Sequence, residues 1–403
     1  MDNTLNKLKT VKVFLILFVA ALLLSFSTYF TYFINSTFLE NRVGTENVGY
    51  IYALGAILNI ILYIYIPTIL RKFGNYRLIL GLTLTTIVLL LGLAWARVTP
   101  LVLTIFILFQ ATAPVIVYCI DIFLEKISSP EEMGSIRGTY LTLNTIPAIV
   151  TPFIAGLILS EPVYWKLYLI AAIFLVPFLI LISSNFRKFE DPYYPKLHIK
   201  EIALKFYHNH NLFDIFLDNS LLNLFYCWMV IYMPLYLRET IGFEWSEIGL
   251  IFSIMLLPFL LLQIPVGRIA DSRQDEKYLL MFGFAIIAGT VFVVPFIQEA
   301  SIVLWAAILF TSRIGASIVE VASESYFFKH VHANNTAYIS IFRLTRSLPY
   351  LLTPLVGLLL MVMDLRYTFL VLGAIMTLGI RYAVQIRPDR LPGHEKESLP
   401  PFA

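Results

Sequence analysis

Three ionisable side chains sit in a stretch otherwise built for lipid. Within Ala306–Lys329, the residues Arg313, Ser317, Glu320 and Glu324 recur at helical spacing. At 100° per residue they share one stripe that climbs about 16 Å. An arginine inside a bilayer costs about 2.5–3.5 kcal/mol on insertion scales, so such charges face a protein interior or a watery cavity and serve substrate paths or proton relays. The competing reading is an ion pair that only fixes helix packing.

Counting charges well inside the apolar runs gives four acids, Asp121, Asp218, Glu320 and Glu324, against three bases, Arg313, Arg343 and Arg346. One carboxylate lacks a counter-charge, unless Arg137 at a helix end supplies it. Desolvation penalises the charged form of such a group, which can then load and release a proton. Glu320 is the expected proton carrier, with Arg313 competing for it when substrate binds. At about 4 Å and an effective dielectric of about 20, that pair is worth about 4 kcal/mol, enough to bias a conformational equilibrium. Seven residues separate the two, about 10 Å along the axis, so long side chains or a shared ligand must close the gap. Glu324 is expected to pair with Arg343 or Arg346 as a gate.

The elements that position these groups are apolar helices. The chain is 59% hydrophobic and 14% charged over 403 residues, with mean hydropathy +0.80; soluble domains carry nearer 25% charge. Apolar runs bounded by charges, Gly and Pro give twelve expected spans, at 11–36, 48–70, 77–97, 99–125, 136–160, 165–185, 211–237, 246–267, 277–298, 301–328, 335–362 and 366–386. The basic start runs into the first span with no small-residue cleavage site, so that helix is read as retained. The expected organisation is an all-α membrane protein: a six-helix bundle over 1–186, a linker over 187–210, a second bundle over 211–388 and a disordered tail over 389–403. Leu197, Ile199, Ile202 and Phe206 give the linker one apolar face, suited to the membrane surface. With the N-terminus inside, 21 of the 29 Lys and Arg fall at inner ends and 5 at outer ends, which puts both termini in the cytoplasm of a cell-membrane protein.

The two halves repeat. Ile146-Pro-Ala-Ile-Val-Thr-Pro152 returns as Leu348-Pro-Tyr-Leu-Leu-Thr-Pro354, Val43-Gly44 as Ile241-Gly242, and Val48-Gly49 as Ile248-Gly249. Asp121 falls opposite Glu324 in the same register. Two parallel repeats place a substrate site between them, near the midplane, and let them rock around it, while proline within spans five and eleven supplies places to bend.

Twelve spans in two halves around a polar middle loop resemble the major facilitator superfamily of secondary transporters, over about residues 10–388. The resemblance rests also on a loop signature, G-x-x-x-D, present as Gly267-Arg-Ile-Ala-Asp271 and degraded in the first half to Pro67-Thr-Ile-Leu-Arg71-Lys-Phe-Gly74. In the family this acid helps lock the cytoplasmic side, which implies a lock of Asp271 near Arg137. An antiporter-associated pattern on the fifth helix aligns with Gly138, Pro147, Thr151-Pro152 and Ala155-Gly156; its echo at Thr353-Pro354 and Gly357 also suits bending and packing. The arginine that proton-coupled members carry on the fourth helix is Gln110 here, and its repeat mate is Arg313. The resemblance implies a cavity lined by helices one, four, seven and ten, hence substrate contacts from Tyr29, Tyr32, Asn35, Gln110, Tyr118, Asn223, Tyr226, Trp228, Arg313 and Glu320. Aromatic packing between helices is the plain alternative for at least half of these. The implied gate comprises Asp121, Arg137, Asp271, Glu324, Arg343 and Arg346.

Other chemistry finds little support. The six histidines, at 198, 208, 210, 330, 332 and 394, fall in loops or the tail, and His330-x-His332 offers only two ligands. No phosphate-binding Gly-Lys-Ser/Thr loop and no nucleophile–base pair is present, so neither an ATPase nor another enzyme is expected, and no cofactor. Cys119 and Cys227 lie in apolar runs and suggest no disulfide. The expected function is movement of a small molecule by alternating access, coupled to protons or another ion, by a monomer in the lipid bilayer with no nucleic-acid partner. Efflux of amphipathic, drug-like compounds stands ahead of uptake of a sugar or organic anion, which Arg313 keeps open. A membrane subunit or sensor that kept the fold without transport is the alternative from another class, favoured by Arg71.

Overall fold

The computed structural model describes residues 2–127, 133–159, 163–194, 207, 209–273, 276–330 and 341–386. Those residues form helices and no strands. Their order is α1 Asp2–Tyr32, α2 Asn35–Val43, α3 Thr45–Trp95, α4 Thr99–Ile127, α5 Met133–Ile158, α6 Tyr164–Asn185, α7 His210–Leu235, α8 Trp245–Arg273, α9 Glu276–Val293, α10 Ile302–His330, α11 Thr353–Leu360 and α12 Leu365–Gln385. These labels count helices, not membrane crossings. Among the described residues nine helical stretches are long and apolar enough to cross a bilayer, and Thr142–Ile158 is a shorter apolar one. The surface-helix residues 197–206 and the tail 389–403 lie outside the described residues.

Contacts divide the chain into two compact units, Met1–Lys196 with Glu244–Ser253, and Leu197–Phe243 with Ile254–Ala403. In unit 1, α3 is 51 residues long, about 76 Å as one rod and far more than a bilayer's ~30 Å core. It turns at Gly74, whose φ of 76° no side chain adopts comfortably. Asp191, just past α6, secures that turn: its Oδ1 accepts from the Asn75 N–H at 2.8 Å and from the Tyr194 hydroxyl at 2.6 Å. Burial and the bond to Asp191 push the Tyr194 phenol above its usual range. Phe189 and Tyr194 pack beside the turn on Ile66, Leu70, Val115 and Ile122. The loop position that the signature would give to an acid holds Arg71, which donates to Thr68 one turn back; an acid distant in sequence serves the turn instead.

Backbones in unit 1 also meet without side chains between them. A methyl group at Gly249 would collide with the Pro152 carbonyl and lie 3.2 Å from the Gly156 Cα, and one at Gly156 would collide with the Trp245 carbonyl. Two residues of the antiporter-like pattern, Pro152 and Gly156, thus sit where α5 must let another backbone approach.

In unit 2, α7 is the most enclosed span, with 78% of its apolar window buried against 28–56% for the others. It ends in a π-helical turn, Tyr236–Ile241, closed by Gly242 at φ 87°. The repeat of spans five and eleven holds in sequence more than in backbone: α5 runs on through Pro147 and Pro152, whereas Leu348–Leu352 tightens into a 3₁₀ segment before α11. Pro349 and Pro354 each remove a backbone donor within a few residues, which accounts for the tightened segment.

The close approach at Gly249 yields a test. Gly249→Ala should lower the thermal midpoint of the purified protein by an amount matching about 1–3 kcal/mol, while Gly289→Ala, where an added methyl meets nothing within 4 Å, should leave it unchanged. Equal midpoints for the two variants would refute the packing.

Candidate functional site

The stripe on α10 divides along its length. Arg313 and Ser317 are buried, whereas Glu320 and Glu324 are half-buried and open on a cleft within unit 2. Arg343 and Arg346 line the same cleft. Tyr226 on α7 donates its hydroxyl to Glu320 Oε2 at 3.2 Å, and its ring meets Phe259 edge-on at 6.1 Å. Arg346 Nη2 stands 3.4 Å from Glu324 Oε1, with the two side chains 49% and 27% exposed. Such exposure leaves the pair little stabilising energy, in the range of about 0–1 kcal/mol. Its use is to place charge at the cleft.

Beneath the charges lies an amide-centred network that binds α7 to α10. Asn219 Nδ2 donates to Ser323 Oγ at 3.1 Å, and Asn219 Oδ1 accepts from Thr345 Oγ1 at 2.7 Å and Asn223 Nδ2 at 2.9 Å. Ser323 Oγ in turn donates to the Glu320 carbonyl at 3.1 Å. Asn219, Ser323 and Thr345 were not singled out by charge counting, being neutral. A legible signal existed in Asn219 and Asn223, two amides spaced i, i+4 inside an apolar run and on the face that reaches Tyr226.

Arg313 is elsewhere. It is 2% exposed, its guanidinium lies over the Phe225 ring at 4.7 Å and Nη1 donates to Ser312 Oγ at 3.3 Å. A cation on an aromatic face is stabilised by the ring quadrupole and needs no bulk water. The lining of the cleft that holds Glu320 does not include it.

The architecture and the site chemistry agree with one family. The model of the Major Facilitator Superfamily matches residues 3–152, 122–354 and 231–401. The chain belongs to that superfamily. Two solved structures similar to it are of a mutant peptide transporter POT, in complex with sulfate and with alafosfalin; they share 11% and 12% identity, TM-scores of 0.73 and 0.74, and 93% coverage of both chains in each case. No curated protein matches the sequence. At that identity the solved structures speak for the fold, and family membership makes this chain a multi-pass membrane transporter with a small-molecule substrate.

The remaining candidates of this superfamily member scatter. In unit 1, Tyr29 and Tyr32 meet edge-on at 5.6 Å, and Tyr29 lines an otherwise apolar cleft with Phe33, Trp245 and Phe252. Asn35 is buried and accepts from the Tyr168 hydroxyl at 2.9 Å. Gln110 lies so close to Gly55 that a methyl there would come within 2.7 Å of its Cγ, and Tyr118 packs edge-on with Tyr63 at 5.9 Å. Asp121 is half-buried on α4. In unit 2, Trp228 is 4% exposed against Tyr232 at 6.0 Å, and its indole N–H has no acceptor among the described residues. The side chains of Arg137 and Asp271 lie outside the described residues. Asp218, counted among the intramembrane acids but given no role, is fully buried, and neither carboxyl oxygen has a hydrogen-bond partner among the described residues.

The network and the ion pair should respond differently to truncation. Asn219→Ala, which strands buried hydroxyl and amide groups, should cost about 1–3 kcal/mol in thermal or denaturant unfolding. Arg346→Ala should cost less than about 1 kcal/mol. The reverse order would show that the ion pair, not the amide network, holds α7 to α10.

Proposed function

We propose that this transporter exchanges protons for a small amphipathic molecule by alternating access, with Glu320 carrying the proton. The observation that carries the reading is the contact of the half-buried Glu320 with the Tyr226 phenol, in a cleft where the next acid along the stripe already has Arg346. A carboxyl held by a neutral donor can exchange its proton without breaking an ion pair. The cleft joins two acids and two guanidinium groups to the Phe342 and Tyr226 rings, a lining suited to a ligand with both charged and apolar parts.

The organisation we propose around it is twelve spans in two six-helix bundles, 1–186 and 211–388, joined by a linker and followed by a tail, with both termini in the cytoplasm of the cell membrane. The length of α3 and its turn at Gly74 support counting it as two of those spans. Arg313, packed on Phe225 outside the cleft that Glu320 lines, would compete for Glu320 only once a ligand or a side-chain rearrangement joins them. The gate we propose comprises Asp121, Arg137, Asp271, Glu324, Arg343 and Arg346, of which Glu324, Arg343 and Arg346 line the cleft of unit 2. The sensor alternative loses its main support, because Asp191 serves the turn that Arg71 cannot.

A second reading, uptake of an organic anion, is favoured by Arg343 and Arg346 lining the cleft. Proteoliposomes holding the purified protein, a pH gradient of either sign, and a panel of labelled amphipathic amines and organic anions separate the two by which compounds move and in which direction. Glu320→Gln should cut gradient-driven net flux by more than an order of magnitude, while exchange of labelled for unlabelled substrate continues. Unchanged gradient-driven flux would remove Glu320 from the coupling.

A further inference from the structure

Asp218 is a carboxyl that the proposed mechanism leaves unused and that its surroundings leave unserved. It is 0% exposed, with neither oxygen hydrogen-bonded among the described residues, two turns into the most enclosed span of unit 2. Asp214, one turn earlier, is 8% exposed, and His210, another turn earlier, is exposed at the start of α7. The three rise about 12 Å along one helix and lead from the surface to the buried group.

Among the described residues α10, α12, the 3₁₀ segment and the π turn pack most on α7, and Phe259 of α8 meets Tyr226. On α10, Arg313 is stacked on Phe225, Glu320 bonds to Tyr226 and Glu324 faces Arg346. The last turns of α12 carry Arg381 and Tyr382, and the 3₁₀ segment carries Tyr350. The charged residues of the π turn, Arg238 and Glu239, lie about 30 Å up the axis, as does Arg366 at the opposite end of α12 from Arg381. Among the described residues none of these groups is hydrogen-bonded to Asp218. Asp214 lies one helical turn from Asp218 on the same helix, and His210 one turn from Asp214. A bare carboxylate there would carry the full cost of desolvation with a like charge beside it and no donor to offset it. A carboxyl in that setting takes up a proton instead.

We propose that Asp218 is a second proton-carrying group of this transporter, filled and emptied through Asp214 from the His210 end of α7. In loading, hydronium transfers a proton to the Asp214 carboxylate and leaves as water. The O–H bond on Asp214 then breaks as one forms on Asp218, returning Asp214 to its anionic form; unloading is the reverse. The proposal goes beyond the Glu320 reading and does not need it.

The test is infrared difference spectroscopy of the full chain in lipid vesicles, titrated with pH, with the protein labelled by carboxyl-¹³C aspartate or, separately, glutamate. The expected result at neutral pH is a C=O stretch from a protonated, weakly hydrogen-bonded carboxyl that shifts with labelled aspartate. Asp218→Glu should move that band from the aspartate-labelled to the glutamate-labelled sample, which keeps the test open even where Asp218→Asn fails to fold. Asp214→Asn should keep the band but slow its loss after a jump to alkaline pH by an order of magnitude. A band that is missing from the wild type, or that Asp218→Glu leaves in the aspartate-labelled sample, overturns the proposal. Glu320→Gln should leave the band in place, so a failure of the Glu320 reading in the flux assay is distinguishable from a failure here.

Discussion

Away from water, a polar group must be answered from within the protein, and in unit 2 that demand falls mainly on α7. Enclosed as it is, α7 cannot turn Asn219, Asn223 or Tyr226 toward solvent, so each finds a partner on α10, on the segment around Thr345 or on α7 itself. Each unanswered group would cost about as much as a lost packing contact or more. The same demand fixes the register of α7 against α10: slide either helix by one residue and the Asn219–Ser323 and Tyr226–Glu320 contacts part together. The cleft with its charges is therefore a consequence of a polar seam whose geometry the neutral residues set.

Unit 1 shows a second constraint. Its close contacts are made by removing side chains, at Gly156 and Gly249, and its turn at Gly74 by removing a Cβ that would collide with Asp191. Packing between bare backbones is what membrane helices use where lipid offers no hydrophobic gain from association. Both halves use both devices: in unit 2, Gly283 and Gly315 bring α9 and α10 together backbone to backbone, and in unit 1 the Asn59 and Asn75 amides donate to the Ala111 and Cys119 carbonyls of α4.

How far the sequence was legible follows from which forces are local. The helices and the α10 stripe were readable because apolar runs and the 3.6-residue period belong to the chain itself, and family signatures at Gly267–Asp271 and in span five pointed to the superfamily now shown by the matching model. Neither the partner of the turn at Gly74 nor the place of Arg313 was readable. Asp191 lies 116 residues from Asn75, and nothing local links an acid after one span to a turn between two others. Arg313 shares a stripe with Glu320, but the stripe says only which way a side chain leaves its helix. Whether it meets water or the face of Phe225 depends on another helix. The 3₁₀ segment escaped for a related reason, since paired prolines weaken a helix without saying which of two repeats yields.

Charge counting left one intramembrane acid unmatched, and the structure shows why the count could not say which. Glu320 and Asp218 are both acids within apolar spans, but their settings differ in kind. Glu320 has a phenol that donates to it and a cleft that a ligand can enter, so its affinity for a proton is tied to what occupies the cleft. Asp218 has no donor among the described residues and does not line that cleft, and Asp214 stands one turn from it on the same helix. A proton on Glu320 would report substrate, whereas a proton on Asp218 would report whether the His210 end of α7 is accessible. Two such groups on facing helices, separated by the Asn219 seam, would let a single movement of α7 against α10 change both affinities, because that movement is the one the seam resists.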